Sequence, residues 1–312
     1  MSMLGRVFAI AMNTYREAIR ARVLFALLAL ALGASAYSLV IAAMSVRQEM
    51  RIVADICAAS VSLFAVAVAI VLGATSLYRE LELKTVFPVL TRRLRRHEYV
   101  LGKYLGILST VVVFVATDGA AVLGILAVQS KAHVPLTLGC AGGLLAALVV
   151  LLVRAKHSRV FVVLPWALAA FAAMALLAAG AGGERQVVVV SAVLTIAEVA
   201  VVAAIAMLFS SFSSPSLTAI FTVMVFLIGR SADTLANLPE RVFGAGVHTA
   251  GRVLARIFPN LDVYVPARPL LLGQVAATPL PGYVASAWLN AAFYAAALLA
   301  LSAIVFRRRD FQ

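Results

Sequence analysis

Long apolar runs separated by short polar stretches dominate the chain. Apolar positions are continuous rather than alternating, which predicts helices and not the alternating strands of a transmembrane barrel. A helix needs roughly 20 mostly apolar residues to cross a hydrocarbon layer of about 30 Å. The pattern predicts spans at residues 23–45, 55–77, 104–129, 134–153, 160–181, 187–209, 214–230 and 283–306. The predicted fold is all-α, a polytopic integral membrane helical bundle with about eight transmembrane helices.

The helical pair at residues 134–181 is the least regular part of this pattern. Pro135, Pro165 and several glycines are also compatible with re-entrant or tilted segments. A bundle of six spans with a deep insertion is therefore the alternative to eight spans.

Residues 4–22 have a different, amphipathic pattern. Apolar side chains such as Leu4, Val7 and Phe8 recur on one helical face, and polar side chains such as Arg6 and Arg16 occupy the other. Such a helix lies along a membrane surface with its arginines near anionic headgroups. We therefore predict an N-terminal interfacial amphipathic helix.

The long segment 231–282 contains six prolines and connects the last two spans. Between Pro239 and Pro259 its apolar residues again form an amphipathic stretch. The segment is predicted on the extracytoplasmic side, where two interpretations remain open, a short helical cap over a pathway and a surface loop lying on lipid headgroups.

Composition and charge support a membrane protein and predict its orientation. Hydrophobic residues make up 64% of the chain and charged residues only 12%, whereas about a quarter of an ordinary soluble domain is charged. In the eight-span arrangement, 17 of the 26 Lys and Arg residues fall on the side of the termini. Because basic loops resist translocation, we expect a bacterial-type cytoplasmic (inner) membrane protein with both termini cytoplasmic. No basic stripe interleaved with aromatics predicts a nucleic-acid partner.

The sequence contains no pattern typical of an enzyme or a metal site. The two cysteines, Cys57 and Cys140, have no partner at metal or redox spacing, and the four histidines are scattered. No GxxxxGK[ST] phosphate loop and no HExxH motif occurs. We therefore expect no cofactor on this chain and no enzymatic activity of its own.

Two carboxylates interrupt the predicted spans, Asp118 in the third and Glu198 in the sixth. A charge at mid-bilayer costs at least about 2.5 kcal/mol, so such residues face protein or water and are candidates for a transport path. The other interpretation is structural, with hydroxyls such as Ser109, Thr110 and Thr117 satisfying a buried carboxyl.

The segment 78–103 is charged at both ends, has a short apolar centre and is interrupted by Pro88. It is predicted on the cytoplasmic side between two spans. It is either a docking element for a cytoplasmic partner or a basic loop that only sets the topology.

In several segments the chain resembles permease subunits of type-2 ABC exporters, in the branch that includes the nitrous-oxide-reductase maturation permease. The opening NTYREAIRARVLF is similar to that family's interfacial helix and first span. Leu101, Gly102 and Lys103 are similar to its Leu-Gly-Lys start of a span, and Arg93 stands where the family usually has proline. Residues 208–229, the IFPNLDVY element at 257–264 and the closing FRRRDF also resemble the family, whereas 134–181 add a helical pair to its six-span core.

This resemblance implies that two permease chains, identical or related, form a pathway at their interface, within a single transmembrane domain over 1–312. Separate ABC ATPase subunits, which bind ATP and Mg, are then expected beneath the segment 78–103. The residues expected to carry this coupling are Glu80, Glu82, Lys84, Thr85, Thr91, Arg92, Arg93, Arg95, Arg96, His97 and Glu98.

Two rival functions remain. One is an ATP-independent secondary transporter or channel that uses the intramembrane carboxylates Asp118 and Glu198. The other is a structural scaffold that recruits a cytoplasmic ATPase without moving any substrate.

Overall fold

The structure is a computed structural model that describes residues 3–45, 48–82, 95–132, 134–155, 159–275 and 279–308. Within these ranges the regular elements are helices, with no strand. The α-helices are α1 Met3–Ile19, α2 Arg22–Ala43, α3 Glu49–Glu82, α4 Arg96–Gln129, α5 Val134–Arg154, α6 Arg159–Leu177, α7 Gly183–Ser210, α8 Pro215–Arg230, α9 Ala232–Ala236, α10 Glu240–Ile257, α11 Arg268–Leu271 and α12 Leu280–Arg308. Short 3-10 turns occur at Ala178–Ala181 and Asp262–Tyr264.

Seven of the described helices, α2 to α7 and α12, are long and apolar enough to cross a membrane. The prediction of an all-α polytopic membrane bundle is therefore confirmed. The predicted span 214–230 corresponds to α8, which has only 16 residues. At 1.5 Å per residue α8 is about 24 Å long, shorter than a hydrocarbon core of about 30 Å.

The irregular pair 134–181 forms two separate helices, α5 and α6, each long enough for a span. Pro135 lies in the first turn of α5, where its missing N–H is no loss. Pro165 lies inside α6, which continues past it to Leu177. The glycines and prolines of this pair thus do not break either helix into a re-entrant turn.

Helix α7 forms the centre of the bundle. In its apolar window 72% of residues are buried, against 6% in α5. Its second half is rich in small side chains, including the fully buried Ala203, Ala204 and Ala206. Small residues allow helix backbones to approach closely, and α3, α4, α8 and α12 all pack against α7.

The closest approach in this core joins α3 to α7. A Cβ atom added at Gly73 would lie 2.5 Å from the Cβ of Ala206. Nearby, the Tyr104 hydroxyl of α4 donates to the Ala200 carbonyl at 3.1 Å, and Ser302 of α12 donates to the Met207 carbonyl at 3.4 Å. Three helices are therefore fixed to the same half of α7.

The chain between α8 and α12 folds back onto the bundle. The Leu261 amide donates to the Gly229 carbonyl of α8 at 2.9 Å, and the Tyr264 hydroxyl donates to Asn290 Oδ1 of α12 at 3.0 Å. Leu261 and Tyr264 are almost completely buried. The amphipathic stretch between Pro239 and Pro259 contains α10, whose backbone leaves helical geometry at Gly244, where φ is 80° and ψ is 159°.

The contact at Gly73 makes a prediction about stability. We expect Gly73→Ala to destabilise the protein by about 1–3 kcal/mol, because the added methyl overpacks against α7. The matched control is Gly142→Ala on α5, where an added Cβ meets no atom within 4 Å; helix propensity makes that change neutral or stabilising by up to about 1 kcal/mol. Thermal unfolding in detergent, followed by circular dichroism, measures both. Equal effects of the two substitutions would contradict close α3–α7 packing.

Candidate coupling junction and intramembrane polar sites

The N-terminal helix is held to the start of α4 by a two-pronged ion pair. Arg6 Nε donates to Glu98 Oε2 at 2.9 Å, and Arg6 NH2 donates to Glu98 Oε1 at 2.7 Å. Glu98 is 1% exposed. The hydrogen bond to Glu98 raises the pKa of Arg6 above its usual value, so Arg6 stays positively charged across the physiological range.

Two glycines let α1 approach α4 closely. A Cβ at Gly102 would lie 2.7 Å from the Cβ of Ile10, and a Cβ at Gly106 would lie 2.6 Å from the carbonyl oxygen of Ala11. The contacts advance in step along both helices, from Glu98 to Gly102 and Gly106 on α4. Helix α1 therefore runs beside the first turns of α4, in the same direction.

Lys103 connects α4 to the end of α3. Its ammonium group donates to the Ser76 carbonyl at 2.5 Å and to the Ser76 hydroxyl at 3.2 Å, and the Lys103 residue is 1% exposed. The ends of α3 and α4 flank residues 83–94. We call the contacts Arg6–Glu98, Gly102, Gly106 and Lys103–Ser76 the coupling junction.

The predicted coupling residues fall into three groups. Lys84, Thr85, Thr91, Arg92 and Arg93 lie outside the described residues. Helical backbone is described at Glu80, Glu82 and Arg96, but their side chains lie outside the described part. Arg95 and His97 are exposed, and the Arg95 amide donates to Glu98 Oε2 at 3.4 Å. Glu98 differs from its neighbours because it faces Arg6 rather than solvent.

Glu198, one of the two intramembrane carboxylates, is paired. It is fully buried in the middle of α7, forms a salt bridge with Arg230 at the end of α8, and accepts a hydrogen bond from the Ser62 hydroxyl of α3 at 3.1 Å. Arg230 also lies over the Phe226 ring, 6.0 Å from its centroid. Glu198 thus joins three helices.

Asp118, the other carboxylate, is fully buried on α4, and both of its oxygens lack a hydrogen-bond partner among the described residues. The nearby hydroxyls do not satisfy it, since Ser109 and Thr110 donate to the Leu105 and Gly106 carbonyls of their own helix. Within the described ranges, no hydrogen bond or ion pair joins Asp118 to Glu198.

A second acidic group adjoins the Glu198–Arg230 pair. Asn260 Nδ2 donates to Asp233 Oδ1 at 2.8 Å, and the Asp262 amide donates to Asn260 Oδ1 at 3.0 Å. Burial, and then the neighbouring Asp233 carboxylate, raise the pKa of Asp262, while Arg230 opposes this shift. Ionisation of Asp262 therefore lowers the stability of the folded chain relative to the unfolded chain.

An ionic cluster fixes the end of the bundle where α3 and α7 begin. Arg268 of α11 pairs with both Asp55 of α3 and Glu184 of α7. Gln186 Nε2 of α7 donates to the Leu271 carbonyl of α11 at 3.1 Å. The segment before α12 is thus attached to the same two helices whose other ends lie near the coupling junction.

Sequence reasoning did not single out Arg6, Gly106 or Arg230 for the contacts they make. A signal for the glycines was present, because Gly102 and Gly106 are four residues apart and share one face of a helix. A signal for Arg230 was its position immediately after an apolar run. Neither signal names the partner residue, which lies far away in the sequence.

The raised pKa of Asp262 predicts how stability depends on pH. Both folded and unfolded chains hold this proton below the ordinary aspartate pKa of about 3.9. As the pH rises above that value, the unfolded chain loses the proton more readily, so stability falls until the raised folded-state pKa is passed. We expect Asp262→Asn to raise the thermal midpoint at pH 7 and to leave it unchanged below pH 4. The exposed Glu240→Gln serves as the control, and an equal gain at both pH values would contradict this cause.

Comparison with known proteins assigns no family to the chain. No protein-family model matches it, and a search of curated proteins finds no significant match. Functional proposals for this chain therefore depend on its own residues and contacts.

Proposed function

We propose that this chain is the membrane-spanning permease subunit of an ATP-driven, ABC-2 type exporter. Separate ATPase subunits bind ATP and Mg and dock beneath residues 78–103. Two permease chains associate, identical or related, and the substrate passes at their interface. The chain lies in a bacterial-type cytoplasmic membrane with both termini cytoplasmic, as the distribution of Lys and Arg favours.

The coupling junction is the observation that carries this proposal. A force applied to residues 83–94 acts directly on the end of α3 and the start of α4. Lys103–Ser76 ties these two helices together, and Arg6–Glu98 transmits their movement to α1. One docking site would in this way move three helices as a unit.

The lengths of α3 and α4 support a lever. Each has 34 residues, which is about 51 Å of helix and exceeds a hydrocarbon core by about 20 Å. A packed helix responds to a force at its end as a rigid body, and packed interfaces switch between discrete arrangements. Both helices contact the central α7, so their movement reaches the middle of the bundle.

The test begins with gentle solubilisation of the chain from its native membrane, followed by a search for a co-purifying ATPase. We expect such a subunit with the wild type and its loss with the charge reversal Arg92→Glu/Arg93→Glu. Arg6→Gln should retain the ATPase but uncouple α1. The readout is thiol labelling at Ala11→Cys, a position that is 8% exposed: its rate should change with ATP and vanadate in the wild-type background and stay constant with Arg6→Gln.

Arg16→Gln is the matched control, because Arg16 is an exposed arginine on the same helix. It should behave like the wild type in both measurements. A chain that transports without any ATPase, or an ATPase that remains bound after the Arg92→Glu/Arg93→Glu reversal, would refute the proposed coupling.

The isolation of Asp118 favours a second candidate, an ATP-independent secondary transporter or channel. A buried carboxyl without a partner is costly to ionise, and such a group suits a site that binds and releases a proton. Glu198 is less suited, because Arg230 already neutralises it.

Proteoliposomes containing only the purified chain separate this candidate from the first. If Asp118 relays protons, a pH gradient should drive dye-detected proton flux, and Asp118→Asn should lower that flux at least about tenfold while the exposed Glu17→Gln leaves it unchanged. Absence of flux in the wild type, or full flux in Asp118→Asn, would exclude Asp118 as the relay.

A further inference from the structure

Two adjacent, largely apolar cavities lie between α2, α4, α5 and α6, and we call the two together the corridor. The first has a volume of about 560 Å³ and the second about 500 Å³. Thr117, Leu145 and Trp166 line both, so the cavities meet at these residues. We call the first the proximal cavity and the second the distal cavity.

The lining residues follow each helix in order. On α2 the proximal cavity is lined by Leu24 to Leu28 and the distal cavity by Leu32 and Leu39. On α4, Val113 lines the proximal end and Gln129 the distal end. From Leu24 to Leu39 the helix rises about 22 Å. The corridor is therefore longer than one leaflet of the hydrocarbon core, which is about 15 Å deep.

The wall formed by α5 is attached weakly to the rest of the protein. Thr137 is the buried residue of this helix. One tie is the Trp166 indole of α6, which donates to the Leu144 carbonyl at 2.9 Å where the cavities meet. Large α5 side chains such as Leu145 remain 60% exposed. A further apolar molecule in the corridor would fill the space between α5 and the core.

The proximal mouth is positively charged. Arg20 and Arg159 line the proximal cavity, both are exposed, and neither forms an ion pair within the described ranges. Among the described residues, no acidic side chain lines either cavity. Two guanidinium groups beside an apolar cavity complement a molecule with an anionic head and a long hydrocarbon tail.

We propose that the corridor binds one anionic phospholipid from the leaflet in which α1 lies. Its phosphate is held by Arg20 and Arg159, and an acyl chain fills the proximal cavity and passes Trp166 into the distal one. The lipid joins α5 and α6 to the core formed by α2 and α4. This assignment gives the pair at 134–181 a specific ligand and does not depend on the transport function proposed above.

The charge and shape at the mouth favour a phospholipid over other occupants. A second copy of the chain carries a formal net charge of +13 and does not complement the two arginines at the mouth. A zwitterionic lipid presents a cationic group to the same two arginines and gains less from them. Because each basic residue near an anionic surface adds to the attraction, two arginines provide a preference of roughly tenfold or more.

The test uses delipidated protein titrated with equal amounts of dioleoyl phosphatidylglycerol and dioleoyl phosphatidylcholine in detergent micelles. Native mass spectrometry counts the lipids retained. We expect one tightly held phosphatidylglycerol per chain, enriched about tenfold or more over phosphatidylcholine. Arg20→Gln/Arg159→Gln should bring the ratio close to one, and Arg20→Lys/Arg159→Lys should restore part of the preference and report that the site remains folded.

The matched control is Arg16→Gln/Arg154→Gln, which removes two exposed arginines near the same mouth that line neither cavity. It should retain the wild-type ratio. A second variant, Ala141→Trp, fills the distal cavity and should weaken dioleoyl more than dioctanoyl phosphatidylglycerol, whereas Ala147→Trp on the exposed side of α5 should not. Equal retention of both headgroups, occupancy by detergent or a second chain only, or equal loss in the control would overturn the assignment.

Discussion

The close packing of α7 against α3, α4 and α12 is the contact on which the rest of the bundle depends. In a membrane, lipid tails are as apolar as the helix surfaces, so helices associate through packing and hydrogen bonds rather than through exclusion of water. Gly73 against Ala206 supplies the tightest such packing. The Tyr104 hydroxyl donates to the Ala200 carbonyl in the same half of α7 and adds a polar contact. Once α3 and α4 are fixed to α7, their ends at Ser76 and Lys103 are also fixed relative to each other.

Ion pairs attach the shorter segments to this core. Glu198, in the middle of α7, pairs with Arg230 at the end of α8, and Leu261 and Tyr264, which follow α8 in the chain, are almost completely buried. Breaking a buried pair by removing one partner leaves an uncompensated charge. Arrangements of the helices that separate the two partners are therefore disfavoured. Arg268 performs a similar role for α11 at the end where α3 and α7 begin. The long segment between α8 and α12 is therefore part of the bundle rather than an appendage.

Hydropathy predicted the helices well because a single helix must satisfy its own backbone in a membrane. The eight predicted spans correspond to α2 through α8 and α12, and the amphipathic period predicted α1. For α10 the same period left a helical cap and a surface loop as alternatives. The contacts between the helices were harder to predict from the sequence. Glu198 and Arg230 are 32 residues apart, and nothing local indicates that they meet. Likewise, Ser109 and Thr110 lie close to Asp118 in sequence, yet they bond to their own helix because a carbonyl four residues earlier is always within range. The corridor could not be predicted from the sequence, because a cavity depends on how four helices diverge in three dimensions.

The coupling junction and the corridor share helix α4, and this sharing has a mechanical consequence. One face of α4 carries Gly102 and Gly106 against α1, whereas Val113 and Thr117 farther along line the corridor. Arg20 follows α1 directly and stands at the corridor mouth. A displacement of α1 relative to α4 must therefore change the distance between Arg20 and the proximal cavity walls. A lipid held by Arg20 and Arg159 would resist that displacement, since its head is bound to the chain after α1 and its tail to α4. The proposed movement of α1 and α4 and the proposed lipid binding are thus linked through Arg20 and α4, while neither proposal requires the other.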